Sequence, residues 1–295
     1  MTLALIERFY DGDFRTRSCP TEQDYYDCWR ACGLDKMAPT EAAIAGAFVA
    51  DRLPWVFAAG YQATLRNAFA DLPDGGWAAF AATEDSADLA AHPPVTLSDD
   101  GSHCRLDGCK AWVAHSAIVD HLIVTINDPA GDKRRVRGVV VSRHGDGVHL
   151  SHREKPGFLA RMSQGFARFE GTPVSTEGVF EFEAIRQFGR SEAKFVMLSS
   201  SAFMLSRTGP DSSLQARLAT VVAALLSLIA ETKTSRQVYA DIDTEFQACV
   251  DLFEQTGAPD EIPEYEADRR LFRMYTDRIQ RRREYAQADA AKRKA

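Results

Sequence analysis

The side chains most able to do chemistry are cysteines, histidines, one basic cluster and scattered carboxylates. Cysteines stand at 19, 28, 32, 104, 109 and 249, with Cys28 and Cys32 one helical turn apart, and His115, His121, His144, His149 and His152 follow one another closely. Such residues are zinc ligands when their spacing lets four of them converge. This spacing matches no standard site, so the expectation is reduced thiols, strand or loop histidines and no metal. Lys133, Arg134 and Arg135 follow the turn residues Ala130-Gly131-Asp132. A solvated hairpin tip is the plainer reading of this cluster, and a phosphate contact is the functional one.

Short alternating apolar runs dominate from Phe80 to Val174, separated by Asp99-Asp100-Gly101, Asp107-Gly108, Asp128-Pro-Ala-Gly131 and Gly145-Asp-Gly147. Half-buried strands with tight turns fit that pattern, which predicts an antiparallel sheet or small barrel. The flanks are helical. Thr21 with Asp24 predicts a capped helix carrying Tyr25, Cys28, Trp29 and Cys32 on one face. Thr40 opens the next helix, Ile44 and Phe48 share a face, and Pro54 breaks or kinks it. From about Glu181 the period is 3.6 again: Phe195, Leu198, Ala202 and Leu205 lie on one helix, and Leu214, Leu218, Val221, Leu225 and Leu228 form a stripe on the next. Ile242, Phe246, Cys249 and Phe253 mark a third helix ending at Gly257, and Pro263 starts a fourth that runs toward Arg281, Arg282 and Arg283. The residues after Ala286 are expected to fray. Domain boundaries fall near residues 75 and 180, giving 1–75 helical, 76–180 β and 181–295 a four-helix bundle.

The ordered segments Phe80-Ala-Ala-Thr83-Glu84, Gly108-Cys-Lys110-Ala-Trp112-Val113-Ala114, Val119-Asp120 and Phe169 followed by Pro173-Val174 resemble the middle β-domain of the acyl-CoA dehydrogenase family. The resemblance implies an α+β chain with a truncated N-terminal helical domain, a central antiparallel β-barrel and a C-terminal four-helix bundle. It further implies an FAD-dependent oxidoreductase removing hydrogen from an acyl thioester, carried on coenzyme A or a carrier protein. Phe80, Ala82, Thr83, Trp112, Val113 and Ala114 are then the flavin-ring residues. Trp112 reads equally as a core aromatic. Lys133 to Arg135 would meet a phosphate of coenzyme A.

Glu192 is the base candidate the resemblance suggests, because some family members carry that residue on the first bundle helix; Glu181 and Glu183 are poorer ones. A Glu in the first turn of a helix is also favoured by the dipole alone. Three positions depart from the family pattern. Asp85-Ser86-Ala87-Asp88 stands where a glycine-rich loop is usual, Ala114 lacks a hydroxyl, and Arg186-Gln-Phe188-Gly189 precedes the expected place of a similar bundle motif. A flavin-free binding or partner subunit of the same fold, or a flavin-dependent monooxygenase, are the alternatives.

The outer bounds come from composition. The chain of 295 residues is 45% apolar with a net charge of −7, enough for a core and contrary to sequence-independent nucleic-acid binding. Met1-Thr-Leu-Ala-Leu-Ile-Glu7 meets an acid before building a signal-peptide core. Leu218 to Ala230 is apolar but bracketed by Arg217 and Glu231, so a buried helix is expected and not a membrane span. These readings predict a cytoplasmic protein. The surplus of apolar residues through Leu228 and Ile229 predicts a homo-oligomer, a dimer or tetramer.

Overall fold

The computed structural model describes residues 6–8, 12, 14–99, 104–127, 131–132, 135–154, 156–175, 179–209, 212–231 and 235–292. The turn residues 100–101 and 128–130, Lys133 and Arg134 of the basic cluster, and residues 1–5 lie outside the described residues. The chain divides into two compact units. One comprises Met1–Cys19, Thr40–Tyr61 and Glu192–Ala295, and the other Pro20–Pro39 and Gln62–Ser191.

In the second unit, helix α1 (Glu22–Ala31) begins with the expected capping box: the Asp24 amide donates to the Thr21 hydroxyl at 3.2 Å, and the Thr21 amide donates to the Asp24 carboxylate at 3.0 Å. The same helix is tied to strand residues far along the chain. The buried Glu22 carboxylate meets His115 Nδ1 at 2.7 Å and accepts the Ser163 hydroxyl at 2.6 Å, and the Tyr26 hydroxyl donates to Asp120 at 2.9 Å.

Among the described residues seven strands follow: β1 (Ala78–Ala81), β2 (Thr96–Asp99), β3 (Cys104–Ala114), β4 (His121–Ile126), β5 (Arg137–Ser142), β6 (Val148–His152) and β7 (Gln164–Val174). They form two sheets, ordered β1-β4-β5 and β2-β3-β7-β6. The expected closed barrel is therefore replaced by two open sheets around a shared core that includes Ala79, Leu106, Leu122, Val124, Val139 and Phe169. The expected antiparallel character also fails at one pair, since β1 and β4 run parallel. The break between the sheets has a local cause. After β3 the chain turns at the fully buried His115, whose φ is 57°, with the Ile118 and Val119 amides closing back on its carbonyl. That turn carries β4 away from β3 and onto β1.

Asp107-Gly108 is not a hairpin turn. It lies inside β3 as a bulge, where the pairing with β7 shifts register between Leu106 and Gly108. Gly108 has φ 121° and packs against the Pro94 carbonyl, so only a residue without Cβ fits. Gly145 to Gly147 is a turn as expected, with Gly147 at φ 73°.

In the first unit, α2 (Pro39–Val49) ends before Pro54, and α3 (Leu53–Ala68) starts anew with Pro54 in its first turn. Their residues from Thr40 to Tyr61 belong to this unit, where Trp55 Nε1 donates to the Cys19 carbonyl at 2.8 Å. Helix α4 (Phe182–Leu205) also contributes to both units. It is followed by α5 (Ser213–Ala230) and α6 (Arg236–Phe253), opened by Ser212 and Ser235 caps. After a short α7 (Tyr265–Asp268) comes α8 (Thr276–Lys292).

The predicted stripes hold: Leu198 and Leu205 of α4, Leu214 to Leu228 of α5, and Phe246 and Phe253 of α6 are buried. Cross-links set the packing of the four long helices. Lys194 Nζ of α4 donates to the Leu228 carbonyl at 2.9 Å, Arg217 of α5 pairs with Glu245 of α6 at 2.6 Å, and Gln280 of α8 donates to Asp243 of α6 at 2.6 Å.

The last helix differs from expectation. Pro263 does not start it, because Glu264 adopts φ 61°, a left-handed conformation that stops helix propagation. Short helical turns intervene until Thr276, and α8 then runs through Lys292, past the residues expected to fray. By length and composition alone, helix α5 is long and apolar enough to cross a bilayer. It starts at Ser213, so the expectation that it is too short was drawn from a start placed too late.

Candidate functional site

The residues expected to meet a flavin ring all belong to the second unit, and the structure brings the two segments that carry them together. The Ala111 amide donates to the Thr83 carbonyl at 2.7 Å, laying Phe80–Thr83 beside β3. This contact falls where the β3–β7 register shifts between Lys110 and Val113, leaving Ala111 and Trp112 in an irregular segment. A bulge turns a side chain out of the regular alternation. Trp112 is half-buried there, and its Nε1 donates to Gln164 Oε1 at 3.2 Å.

In the same strand, the fully buried Lys110 donates to Glu84 at 2.9 Å and to the Thr125 hydroxyl at 3.2 Å. Burial lowers the Lys110 pKa, and the Glu84 carboxylate opposes that shift. Lys110 and Glu84 stood in the sequence motifs without an assigned role. The pairing rule that could have found them is that a Lys at an apolar strand position needs an acid partner.

The six ring candidates are not equivalent. Thr83 is exposed, Ala82 half-buried, and Val113 and Ala114 fully buried. The Phe80 ring is engaged elsewhere: its centroid lies 4.3 Å from that of Phe188 and 5.8 Å from that of Phe69. Phe188 belongs to Arg186-Gln-Phe188-Gly189. That segment lies inside α4, not before the first bundle helix as the sequence suggested, and its Arg186 pairs with Glu183 one turn away at 2.7 Å.

The loop after Glu84 occupies its own donors. The Asp85 carboxylate accepts the Ala87 amide at 3.0 Å and faces His92 Nδ1 at 3.1 Å, and the Asp88 carboxylate accepts the Ala91 amide at 3.0 Å. The amide of Ala87, first, and His92 hold the Asp85 carboxyl below the usual carboxylate range. His92 in turn stacks on Phe166 with centroids 5.2 Å apart, and Phe166 carries the Arg153 guanidinium 4.8 Å from its centroid.

Glu192 belongs to the first unit. It is not in the first turn of its helix, because α4 begins at Phe182; the acid in that first turn is Glu183. The dipole explanation of Glu192 therefore lapses, as its effect is confined to the end turns. Burial raises the Glu192 pKa, with the Arg278 guanidinium opposing it. The Tyr275 hydroxyl has no hydrogen bond of ordinary length and angle among the described residues, and the Glu192 carboxylate is close enough to push its pKa up further.

Of the predicted histidines, His149 lies 3.6 Å from Glu170 at the surface, and His152 Nδ1 meets the Ser116 hydroxyl at 2.9 Å. Among the described residues no three His, Cys, Asp or Glu side chains converge as a metal site would require. Arg135 of the basic cluster is exposed and lies 3.8 Å from Asp132.

No protein-family model matches the chain, and no curated protein matches it. Solved structures do. An FAD-dependent dehydrogenase superposes with TM-score 0.59 at 14% identity, covering 82% of each chain. The prolyl acyl carrier protein oxidase AnaB gives 0.59 at 13%, covering 88% of this chain and 90% of its own. Glutaryl-CoA dehydrogenase from Mycobacterium smegmatis gives 0.53 at 15%, covering 82% and 76%. The chain thus has the fold of the acyl-CoA dehydrogenase-like flavoproteins. It is a short and divergent example of that fold.

Proposed function

We propose that the protein is an FAD-dependent oxidoreductase acting on an acyl thioester of coenzyme A or a carrier protein. The observation that carries this reading is the junction of Thr83 with the Ala111–Trp112 bulge, tied further by the Lys110–Glu84 pair. It joins the two segments whose counterparts would flank a flavin ring in a fold shared with an FAD-dependent dehydrogenase.

The fit differs between the two halves of the cofactor. For the ring, Ala82, Thr83 and the half-buried Trp112 offer surface, while Val113 and Ala114 support them from the core and Phe80 anchors the segment through Phe188. For the phosphates, the loop after Glu84 offers no such cradle through Ala87 or Ala91, whose amides are already bonded to Asp85 and Asp88. Phosphate contacts would have to come from other residues. When bound, the flavin would accept a hydride from the β carbon of the thioester.

Glu192 is the proposed base, taking the proton from the α carbon. Its burial favours this assignment, since a carboxyl held above the usual range is better matched to proton abstraction near neutral pH. Self-association through α5 belongs to the same proposal, and light scattering that reports a monomer at micromolar concentration would remove it. The self-bonded loop at Asp85 favours one second reading, a flavin-free partner subunit of the same fold.

The absorbance spectrum separates the two. Protein purified with added FAD should show flavin bands and an FAD-dependent rise in melting temperature, both weakened by Trp112→Ala. A colourless protein with no such rise would eliminate the oxidoreductase reading.

A further inference from the structure

Residues 276–295 carry seven basic and three acidic side chains, in a chain whose net charge is −7. Five of the seven stand on α8. The inner side of that helix is fixed by its bonds to α6: Thr276 donates to Asp243, Gln280 to Asp243 and the Ala240 carbonyl, and Gln287 to Gln237, while Ile279 is buried. At about 3.6 residues per turn, the side facing away from α6 is that of Arg278, Arg281, Arg282 and Tyr285.

This ridge is open and its charge is not neutralised. Arg281, Arg282 and Tyr285 are exposed, and Tyr285 keeps 72% of its surface in water. Arginines earlier in the same region are taken up by acids: Arg269 pairs with Glu254 and Glu266, and Arg273 with Asp251 and Glu254. Arg281 instead donates to the Asp277 carbonyl of its own helix at 3.2 Å, and among the described residues neither it nor Arg282 pairs with a carboxylate.

One edge of the ridge adjoins Glu192. The half-buried Arg278 lies 5.3 Å from the Tyr275 ring centroid, and its charge reaches the Glu192 carboxyl, where it opposes the effect of burial. Burial raises the pKa of Tyr239 on α6, and Arg278 and Arg282 oppose that shift in turn. From Arg278 to Tyr285 the helix rises about 10 Å. A partner seated on the ridge therefore lies beside the proposed base.

We infer that the outer face of α8 docks an acidic carrier protein, which presents the acyl thioester on its phosphopantetheine arm toward Glu192. The ridge is convex, whereas a small ligand such as free coenzyme A takes a concave site. Its side chains are Arg and Tyr, the types enriched at protein interfaces, and not Lys, which is depleted there. Local positive charge orients an acidic partner that the rest of this acid-rich chain would repel. The loop after Glu84 favours the same carrier, because its Ala87 and Ala91 amides are bonded to Asp85 and Asp88 instead of being open to a nucleotide phosphate. The choice of a carrier protein rests on the thioester reading; the docking surface does not.

The test is fluorescence anisotropy of a labelled acyl carrier protein, bearing phosphopantetheine but no acyl group, titrated with the full chain. Saturable micromolar binding is expected, weakened roughly tenfold between about 50 and 300 mM salt. Arg281→Glu combined with Arg282→Glu should weaken it tenfold or more, and Tyr285→Ala severalfold. These side chains are exposed, so the melting temperature should not move. Free coenzyme A in millimolar excess should leave the carrier bound.

No saturable binding at about 100 µM, binding that the double variant leaves unchanged, or displacement by coenzyme A overturns the inference. Tighter binding of anionic phospholipid vesicles or of single-stranded RNA would give the ridge a different occupant, as would self-association that the double variant abolishes, and each overturns it as well. The outcome is separable from that of the redox reading. A colourless protein that binds the carrier through Arg281 and Arg282 keeps the docking surface and loses the flavin, whereas flavin bleached by acyl-CoA in a protein that binds no carrier keeps the enzyme and loses the surface.

Discussion

The Lys110 ammonium is enclosed completely, 2.9 Å from the carboxylate of Glu84, whose side chain keeps 20% of its surface in water. The pair joins the segment after β1 to the centre of β3, so it fixes the spacing between Thr83 and Trp112. Its two halves are not equally replaceable. Without Glu84, the buried cation keeps only the Thr125 hydroxyl; without Lys110, the carboxylate can still turn toward solvent.

Glu84→Gln should therefore cost about 3 kcal/mol, the usual scale for stranding a buried charge, and Lys110→Met markedly less. Urea unfolding of both variants checks the order. A larger loss for Lys110→Met would mean that the lysine stem, not the charge pair, holds the sheet.

Alkaline titration tests the same pair. Burial lowers the folded pKa of Lys110 below 10.5, so between the two values the unfolded chain binds more protons. Stability should then rise with pH across that interval in wild type relative to Lys110→Met. Thermal unfolding followed for both proteins up to about pH 10.5 would show the difference, and parallel curves would contradict it.

Close approach within the helical unit gives another expectation. A Cβ on Gly60 would lie 2.7 Å from the Ser199 hydroxyl oxygen, 2.8 Å from Val196 Cα and 2.9 Å from the Phe195 carbonyl oxygen. Two of these are backbone atoms of α4, which cannot rotate away. Gly60→Ala should cost about 1–3 kcal/mol despite its better helix propensity, and a stabilised variant in calorimetry would show that α4 can shift.

What could be read from the sequence was local. The Thr21 cap, the break at Pro54 and the α5 stripe each depend on residues a few positions apart, and each is present. What could not be read depends on partners far away. Glu22 looks like an ordinary first-turn acid until His115, 93 residues later, is placed against it. The parallel β1–β4 pair leaves no periodic mark, because β1 is only four residues long. Asp107-Gly108 misled because a turn and a bulge demand the same positive φ at glycine. The helical period is legible from about Glu181 and α4 does start at Phe182; what is misplaced is the first turn, set at Glu192 ten residues too late, and the true start changes what Glu192 must be.

Glu192 now carries a paired expectation in pH and turnover. As a mid-helix acid it gains nothing from the helix end, and burial raises its folded pKa above 4.5. Below 4.5 the protonated carboxyl costs nothing. As pH rises from 4.5 through the raised folded pKa, the folded chain holds its proton longer than the unfolded one, so stability is lost across that interval. Glu192→Gln is neutral at every pH, so it should erase this loss and leave the protein as stable as wild type, or more so, at pH 7 to 8. If Glu192 is also the base, the same variant loaded with FAD should lose flavin bleaching by an acyl thioester by roughly a hundredfold or more. Stability gained with bleaching unchanged would make Glu192 a structural partner of Arg278 and Tyr275 and end its candidacy. A variant that is clearly less stable at neutral pH would show instead that the charge pairing with Arg278 outweighs burial.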